Sequence, residues 1–325
     1  MQILKGVIWF VVLLLGLSLP LLIGESHFNL HDLLVNPHNL NEQIILNIRL
    51  PRILFAFLVG ASLSLAGAVF QVLLKNELAT PYTLGISSGG ALGAVLAIKL
   101  GLVIQLMAFS STVLFSVLGS LLTIGIIYFI ARERHEISTF TLLLAGVTLS
   151  LFFSSLILFI HYLADFTETY RMIRWLMGAL DVVGWQYPLS IFFLLIPAFA
   201  YLFYHAIDFN LLLSGNEMAK SRGVDVAKFQ KWSFIVTSVL VGACVSMAGP
   251  IGFVGLIVPH IMRLMFGADH RTLLPQVIVG GGLFLVWCDT IARSIIAPAE
   301  LPVGVVTSLL GAPFFIYLLI KNKVG

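Results

Sequence analysis

The stretch ILFAFLVGASLSLAGAVFQVLL, residues 53–74, contains no charged side chain. An α-helix of about 20 mostly apolar residues is long enough to cross a bilayer. The alternative membrane structure, a β-barrel, would read as strands of about ten residues that alternate apolar and polar side chains. This run does not alternate, and a helix satisfies its backbone hydrogen bonds within the segment. The stretch therefore predicts a transmembrane helix.

Similar apolar runs recur along the whole chain. Of its 325 residues, 59% are hydrophobic and only 10% are charged, whereas soluble domains carry about 25% charged residues. We predict an all-α polytopic membrane protein in which residues 1–325 form one transmembrane domain of about ten helices. The predicted spans are 6–24, 53–74, 82–99, 103–131, 140–163, 187–207, 232–250, 252–266, 273–296 and 303–320. The first is expected to be a retained span rather than a cleaved signal peptide.

The distribution of basic residues predicts the orientation of these spans. With the N-terminus and the C-terminus inside, 12 of the 18 Lys and Arg residues fall on the cytoplasmic side and 6 on the outer side. Short cytoplasmic loops of membrane proteins are enriched in Lys and Arg. A charged segment at about 208–231 then lies in the cytoplasm, and the stretch YRMIRWLMGALDVV (170–183) within the polar segment 164–186 is expected to form a short amphipathic helix on the membrane surface.

The charged segment contains signals for short helices. Ser214 and Glu217 match a capping box, Gly223 suits a left-handed helix end, and Asp225 can cap the start of a second helix. We predict two short helices separated at Gly223, which would form a rigid cytoplasmic surface for a partner. A solvated loop is the alternative.

Arginines and one acid mark the opposite side of the membrane. Arg49 and Arg52 lie three residues apart around Pro51, which favours a helix start there, and such a pair suits carboxylate recognition. Anchoring at lipid headgroups is the alternative reading. Asp289 and Arg293 lie four residues apart and can form an ion pair on one helix face. That pair is either functional, or a structural anchor whose arginine extends towards water.

Several kinds of chemistry are excluded by missing motifs. No Gly is followed by Lys, so the chain has no phosphate-binding loop. The HEIST segment has Thr139 where a zinc protease needs its second histidine. Cys244 and Cys288 lie within apolar runs and are expected to be structural. We expect no catalytic site, no metal site and no cofactor in this chain.

Five segments together resemble a known family. They are RLPRILFAFLVGASLSLAGAVFQ (49–71), LLLAGVTLS (142–150), SMAGPIGFVGLIVPHIMRLMFGADHRTLLP (246–275), CDTIAR (288–293) and ELPVGVVTSLLGAPFFIYLL (300–319). In sequence and spacing they are similar to the permease subunits of bacterial ABC importers for iron–siderophores, haem and cobalamin. The resemblance extends from about Arg49 to the C-terminus.

The resemblance implies a cobalamin-permease-like fold and a multi-pass protein of the bacterial cytoplasmic membrane, surrounded by lipid. The implied partners are a second permease, identical or paralogous, two ATPase subunits that bind ATP and Mg, and an extracytoplasmic substrate-binding protein. No nucleic acid is involved. An iron(III)–siderophore is the expected cargo, haem or cobalamin is the alternative, and a transporter driven by an ion gradient is the rival from another class.

The resemblance also implies roles for individual residues. Arg49, Arg52 and Arg293 would dock the binding protein. The residues that would couple to the ATPase are Asn216, Glu217, Ala219, Lys220, Arg222, Gly223 and Val224. A cytoplasmic gate would involve the loop from Asn76 to Pro81, together with Ser138, Thr139 and Phe140. Phe140 stands where a cobalamin permease has a small hydroxyl residue, which disfavours cobalamin as the cargo.

Overall fold

The computed structural model describes residues 16–20, 43–106, 109–133 and 136–324. Its helices are α1 Leu50–Leu73, α2 Ile86–Lys99, α3 Ser111–Ala131, α4 Thr139–Tyr162, α5 Phe166–Leu176, α6 Gln186–Tyr204, α7 Ala206–Leu213, α8 Asn216–Ser221, α9 Val226–Ala248, α10 Val254–Phe266, α11 His270–Ser294 and α12 Val303–Val324. Two antiparallel pairs of two-residue strands, β1 Gln105–Leu106 with β2 Phe109–Ser110 and β3 Arg132–Glu133 with β4 Glu136–Ile137, flank α3.

Within these residues, nine of the ten predicted spans coincide with a helix. Six helices are long and apolar enough to cross a membrane, namely Ile45–Leu73, Ser111–Ala131, Thr139–Tyr162, Gln186–Tyr204, Val226–Ala248 and His270–Ser294. Three shorter apolar helices, Ile86–Lys99, Val254–Phe266 and Val303–Tyr317, match the remaining predicted spans. The predicted first span, 6–24, lies outside the described residues except at 16–20.

Three predicted boundaries were wrong. The span predicted at 103–131 begins only at Ser111, because Gln105–Leu106 and Phe109–Ser110 pair as the antiparallel strands β1 and β2. The span predicted at 187–207 ends at Tyr204, and α7 starts two residues later. A π-helical turn, Ile45–Arg49, runs directly into α1, so Pro51 occupies the first α-helical turn without starting a new helix. Apolar runs reveal a span but not where its backbone geometry changes.

The polar segment 164–186 contains a helix, α5, but this helix runs from Phe166 to Leu176 instead of over the predicted residues 170–183. Its N-terminus has a capping box in which Asp165 Oδ1 accepts from Glu168 N at 2.8 Å and Glu168 Oε2 accepts from Asp165 N at 3.0 Å. Lys99 Nζ, from the end of α2, lies 2.8 Å from Glu168 Oε2. This hydrogen bond from Lys99, together with the bond from the Asp165 backbone, lowers the pKa of Glu168. The arrangement ties α5 to the end of a neighbouring membrane helix.

Helix α1 is the centre of the bundle. It packs against α6, α9, α10 and α11, and most of its residues are buried. The small residues at Gly60 and Gly67 make this possible, since a Cβ at Gly60 would lie 2.2 Å from the carbonyl oxygen of Gly281. A Cβ at Gly67 would lie 1.8 Å from the carbonyl oxygen of Gly255. The backbone of α1 is therefore in direct contact with α10 and α11, as small-residue spacing in membrane helices favours.

Replacing Gly60 with alanine is expected to destabilise the bundle by about 1–3 kcal/mol, because the new methyl group must displace the backbone of α11. The matched control is G125A in α3, where a Cβ would meet nothing within 4 Å. That variant is expected to be neutral or slightly stabilising, since Ala has the higher helix propensity. Thermal unfolding in detergent micelles compares the two, and equal melting temperatures would contradict the packing described for α1.

Candidate functional site

A network of buried and half-buried ions lies at one end of the bundle. Arg52, in the first turns of α1, places Nη2 2.9 Å from Asp289 Oδ1 and Nε 3.2 Å from both carboxylate oxygens of Asp289. Asp289 is only 2% exposed. The predicted partner Arg293 also reaches it, with Nε 3.2 Å from Oδ2. Two arginines from two helices thus share one buried carboxylate, and the Arg52–Asp289 contact was missed by the sequence analysis.

Two more exposed acids complete this network. Arg52 Nη1 lies 2.9 Å from Glu300 Oε2 and 3.3 Å from Asp181 Oδ1, and both acidic side chains are 44% exposed. Asp181 also accepts from Arg174 Nη2 of α5 at 3.4 Å. We call Arg52, Asp181, Asp289, Arg293 and Glu300 the outer ion cluster. Glu300 and Asp181 are the most exposed members of this cluster.

The three arginines expected to dock a binding protein lie at this end. Arg49 is buried in the π-helical turn before α1, and its charge interacts electrostatically with Arg293. The Arg52 side chain is 12% exposed and is engaged by acids. Arg293 lies against Asp289 with 14% exposure instead of extending into water. The predicted ion pair between Asp289 and Arg293 is therefore present.

The charged segment at the other end forms a compact unit of α7, α8 and the start of α9. Helix α8 ends in a Schellman motif, in which Gly223 N donates to Lys220 O at 2.9 Å and Val224 N donates to Ala219 O at 3.1 Å. Gly223 has φ +87°, as the sequence predicted. Asp225 caps α9 by accepting from Lys228 N at 3.1 Å. These two predictions are confirmed.

Two details of the charged segment were predicted wrongly. Gly215, with φ +121°, precedes α8 and no side chain caps that helix. Ser214 Oγ instead lies 3.4 Å from the carbonyl oxygen of Asn210, so there is no capping box with Glu217. The second helix is also not short, because it continues from Val226 to Ala248 as a membrane span. Buried side chains follow from its first turn onward, which leaves no reason for a break.

The seven residues expected to couple to an ATPase divide by exposure. Glu217, Lys220, Arg222 and Gly223 are exposed, whereas Ala219 is fully buried. Val224 is half-buried and packs against the hydrophobic core. Asn216 accepts a hydrogen bond from Lys75 Nζ at 2.9 Å. A charged surface is thus held on an apolar base and joined to the loop after α1.

The residues expected at a gate lie on two separate elements. Asn76 follows α1 and accepts from Leu78 N at 2.9 Å. Ser138 caps α4, accepting from Thr141 N at 3.4 Å, Thr139 begins that helix, and Phe140 is 75% exposed. Among the described residues, no hydrogen bond or ion pair joins Asn76 to the other three. Each element contacts the charged segment or the helix that follows it. Lys75, beside Asn76, donates to Asn216 of the charged segment. Strand β4, just before Ser138, packs on α9.

A cavity of about 1030 Å³ is lined by the loop after α1 and by residues of α2, α4, α10 and α12. Its lining includes no Asp, Glu, Lys, Arg, His or Cys side chain among the described residues. The polar groups that line it are Thr80, Tyr82, Thr83, Ser87, Ser88, Ser154 and Ser308. Phe253 also lines it with φ +66°, an uncommon backbone conformation for a bulky residue. The cavity can therefore contact a molecule without binding it through charge or metal coordination.

Replacing Asp289 with asparagine is expected to cost about 3–5 kcal/mol of stability, because the change leaves two buried arginines without the carboxylate between them. The matched control is D181N, which removes a half-exposed carboxylate from the same arginine and is expected to cost less than about 1 kcal/mol. Unfolding in micelles measures both. Equal losses would show that Asp289 does not hold the two helices together.

Comparison with known proteins identifies the family. The model of the FecCD transport family matches residues 10–321. The chain is 39% identical to the vitamin B12 import system permease of Salmonella arizonae over 96% of this chain and 92% of that protein. It is also 39% identical to the hemin transport system permease of Yersinia pestis, over 86% of this chain and 84% of that one.

A solved structure supports the same assignment. It is an inward-facing conformation of a transporter assigned to the metal-chelate type of ABC transporter, with a TM-score of 0.87 and 32% identity. The alignment covers 98% of this chain and 99% of that one. Together with the bundle of apolar helices, these matches show that the chain belongs to the FecCD transport family and is a membrane permease subunit of an ABC importer.

Proposed function

We propose that this permease carries an iron(III)–siderophore across the bacterial cytoplasmic membrane, driven by ATP hydrolysis on a separate subunit. The observation that carries the proposal is the composition of the 1030 Å³ cavity. A bare metal ion needs carboxylate, imidazole or thiolate ligands, and the described part of the lining offers none. The cargo therefore brings its own ligands, as a metal chelate does.

Among metal chelates, the choice of a siderophore rests on the resemblance and on Phe140. The relatives named above act on hemin and vitamin B12, so haem and cobalamin are the alternative cargoes. Phe140 is 75% exposed and sits beside the proposed gate, where a bulky ring narrows the exit. This favours a compact hexadentate iron chelate over the larger corrin ring.

We propose that the outer ion cluster, together with Arg49, docks the substrate-binding protein. Arg52 is now held by Asp181 and Glu300, two acids that reach water. Carboxylates of the binding protein can replace these two acids without moving Asp289. Such an exchange would cost little, because one charge-assisted pair is lost for each one gained. The extracytoplasmic side of the membrane is then the side of this cluster, and both chain ends lie in the cytoplasm.

We propose that residues Asn216 to Val224 bind the ATPase. Its closure on ATP would push α8, and Lys75 would pass the displacement to the gate loop through Asn216. The start of α9 would act on β4 and hence on Ser138, Thr139 and Phe140. This chain binds neither ATP nor Mg, and a second permease, identical or paralogous, completes the path. The gradient-driven transporter that was the rival expectation is not supported, because the chain belongs to the FecCD transport family.

The proposal is tested by ATPase activity of the full complex in nanodiscs. The permease is assembled with the ATPase and the binding protein encoded beside it, and the binding protein is loaded with a ferric hydroxamate, haem or cobalamin. We expect the ferric hydroxamate to give the largest stimulation. Stimulation by haem or cobalamin alone would overturn the cargo, and an ATPase that does not associate with the permease would overturn the class.

In the same assay, E217R is expected to abolish stimulation or association. The Glu217 side chain is 90% exposed and pairs only at the surface with Lys220, so the permease itself should remain folded. The matched control, E217Q, removes the charge without reversing it and is expected to retain most of the stimulation. If E217R behaves like E217Q, α8 is not the ATPase-binding surface.

A further inference from the structure

Asn210, on α7, forms three hydrogen bonds to the beginning of α11. Its Oδ1 accepts from the backbone N of His270 at 3.0 Å and lies 2.7 Å from His270 Nδ1. Its Nδ2 donates to Asp269 Oδ1 at 2.7 Å. These partners are about 60 residues away along the chain, and the sequence analysis did not identify them. A single side chain thus clamps the N-terminus of a membrane helix.

The ionisation of Asp269 fixes the direction of these bonds. The backbone N of Arg271 donates to Asp269 at 3.0 Å, and this bond, together with that from Asn210, lowers the pKa of Asp269 below its ordinary value. The carboxylate can then only accept, so Asn210 must present its amide NH₂ to Asp269. The remaining oxygen of Asn210 faces the N–H groups of His270. Every polar atom of the Asn210 side chain therefore has a partner on α11.

Helix α7 is linked directly to α8, which carries residues proposed to bind the ATPase. Only Ser214 and Gly215 separate α7 from α8, and Ser214 N and Gly215 N donate to Leu211 O and Leu212 O at 3.1 Å each. Helices α7 and α8 also contact one another. A displacement of α8 is therefore transmitted to Asn210 and from there to the first turn of α11.

The far end of α11 carries two members of the outer ion cluster. The helix runs from His270 to Ser294, a length of about 37 Å at 1.5 Å per residue. Asp289 and Arg293 lie in its last turns, where Arg52 binds Asp289. One helix thus begins at the Asn210 clamp and ends in the outer ion cluster.

We infer that Asn210 is a positioning residue that couples the ATPase surface to the outer ion cluster through α11. The inference rests on the proposed function. The inference adds a second path by which a displacement at the ATPase surface can spread. This path runs through α11 to the proposed binding-protein site, whereas the first runs through Lys75 and β4 to the proposed gate. Because coupling between two binding sites is reciprocal, nucleotide on the ATPase must change the affinity for the binding protein through this contact.

The test exchanges the two chemical groups of the clamp. N210D brings a second carboxylate against Asp269 and should break the contact. In the double variant N210D/D269N, the amide and the carboxylate simply trade places. The carboxylate at position 210 still accepts from His270. One oxygen, Asp269 Oδ1, accepts from both Asn210 and Arg271 N in the wild type, so the amide at position 269 must rotate to donate its NH₂ to position 210 and to cap α11 with its oxygen. The single variant D269N keeps one amide–amide hydrogen bond and serves as a mild change.

The measured quantity is the affinity of the complete complex for loaded binding protein, with and without a non-hydrolysable ATP analogue. In the wild type, we expect the ATP analogue to change the affinity for the binding protein by about 5–150-fold, the range typical of coupled sites. We call this change the nucleotide shift. In N210D the affinities measured with and without the analogue should become nearly equal. In N210D/D269N the difference between them should return. The control S214A, which removes a hydrogen bond within the same segment, should leave the shift unchanged.

The outcomes separate this inference from the proposed function. A wild-type shift that persists in N210D, or that does not return in the double variant, overturns the role of Asn210 while leaving the importer intact. If N210D lowers the unfolding temperature but leaves the nucleotide shift unchanged, the role of Asn210 in coupling is also overturned, because the contact then only stabilises the fold. If N210D does not assemble, N210S removes the clamp without adding charge and is expected to lose the shift. A wild-type complex without any nucleotide response overturns both.

Discussion

The close contact between α1 and α11 is the constraint on which the rest of this structure depends. The two helices meet at Gly60 and Gly281, where neither position leaves room for a Cβ. Arg52 lies eight residues before Gly60, and Asp289 lies eight residues after Gly281. Because the helices run antiparallel, this register brings the guanidinium of α1 to the carboxylate of α11. The glycine contact therefore fixes both the packing of the bundle and the composition of the outer ion cluster.

The same contact explains how an uncharged cavity can exist beside buried ions. Charges in lipid are costly unless they are paired or face the interior of a bundle. Here Arg52 and Arg293 share Asp289, and Arg52 also pairs with Glu300 and Asp181 at the same end of α1 and α11. The described lining of the cavity contains only apolar and hydroxyl side chains. A path of this kind holds its cargo weakly, which suits release once the gate opens.

The sequence predicted correctly those elements that depend only on residues close together in the chain. The apolar runs marked nine spans in the described part of the chain, and Gly223 and Asp225 marked a helix end and a helix start. The pairing of Asp289 with Arg293 followed from their spacing. The same reasoning failed at Ser214, because a glycine at position 215 offered the backbone a conformation that displaced the capping box.

Contacts between distant segments could not be read from spacing. Arg52 and Asp289 are 237 residues apart, and their meeting depends on the register of two helices that the sequence leaves open. The Asn210 clamp depends in the same way on where α7 lies relative to α11. Small residues such as Gly60 and Gly281 allow two helices to pack closely, but they do not determine which other residues face each other. Long-range polar contacts therefore became visible only in the folded chain.

The central claim is that the cargo crosses this permease together with its own ligands. Its most direct test is uptake into proteoliposomes containing the full complex, with a siderophore labelled on both the iron and the organic ligand. We predict that iron and ligand enter in equal amounts and only when ATP is supplied. Entry of iron without the ligand, or entry that persists without ATP, would contradict the account.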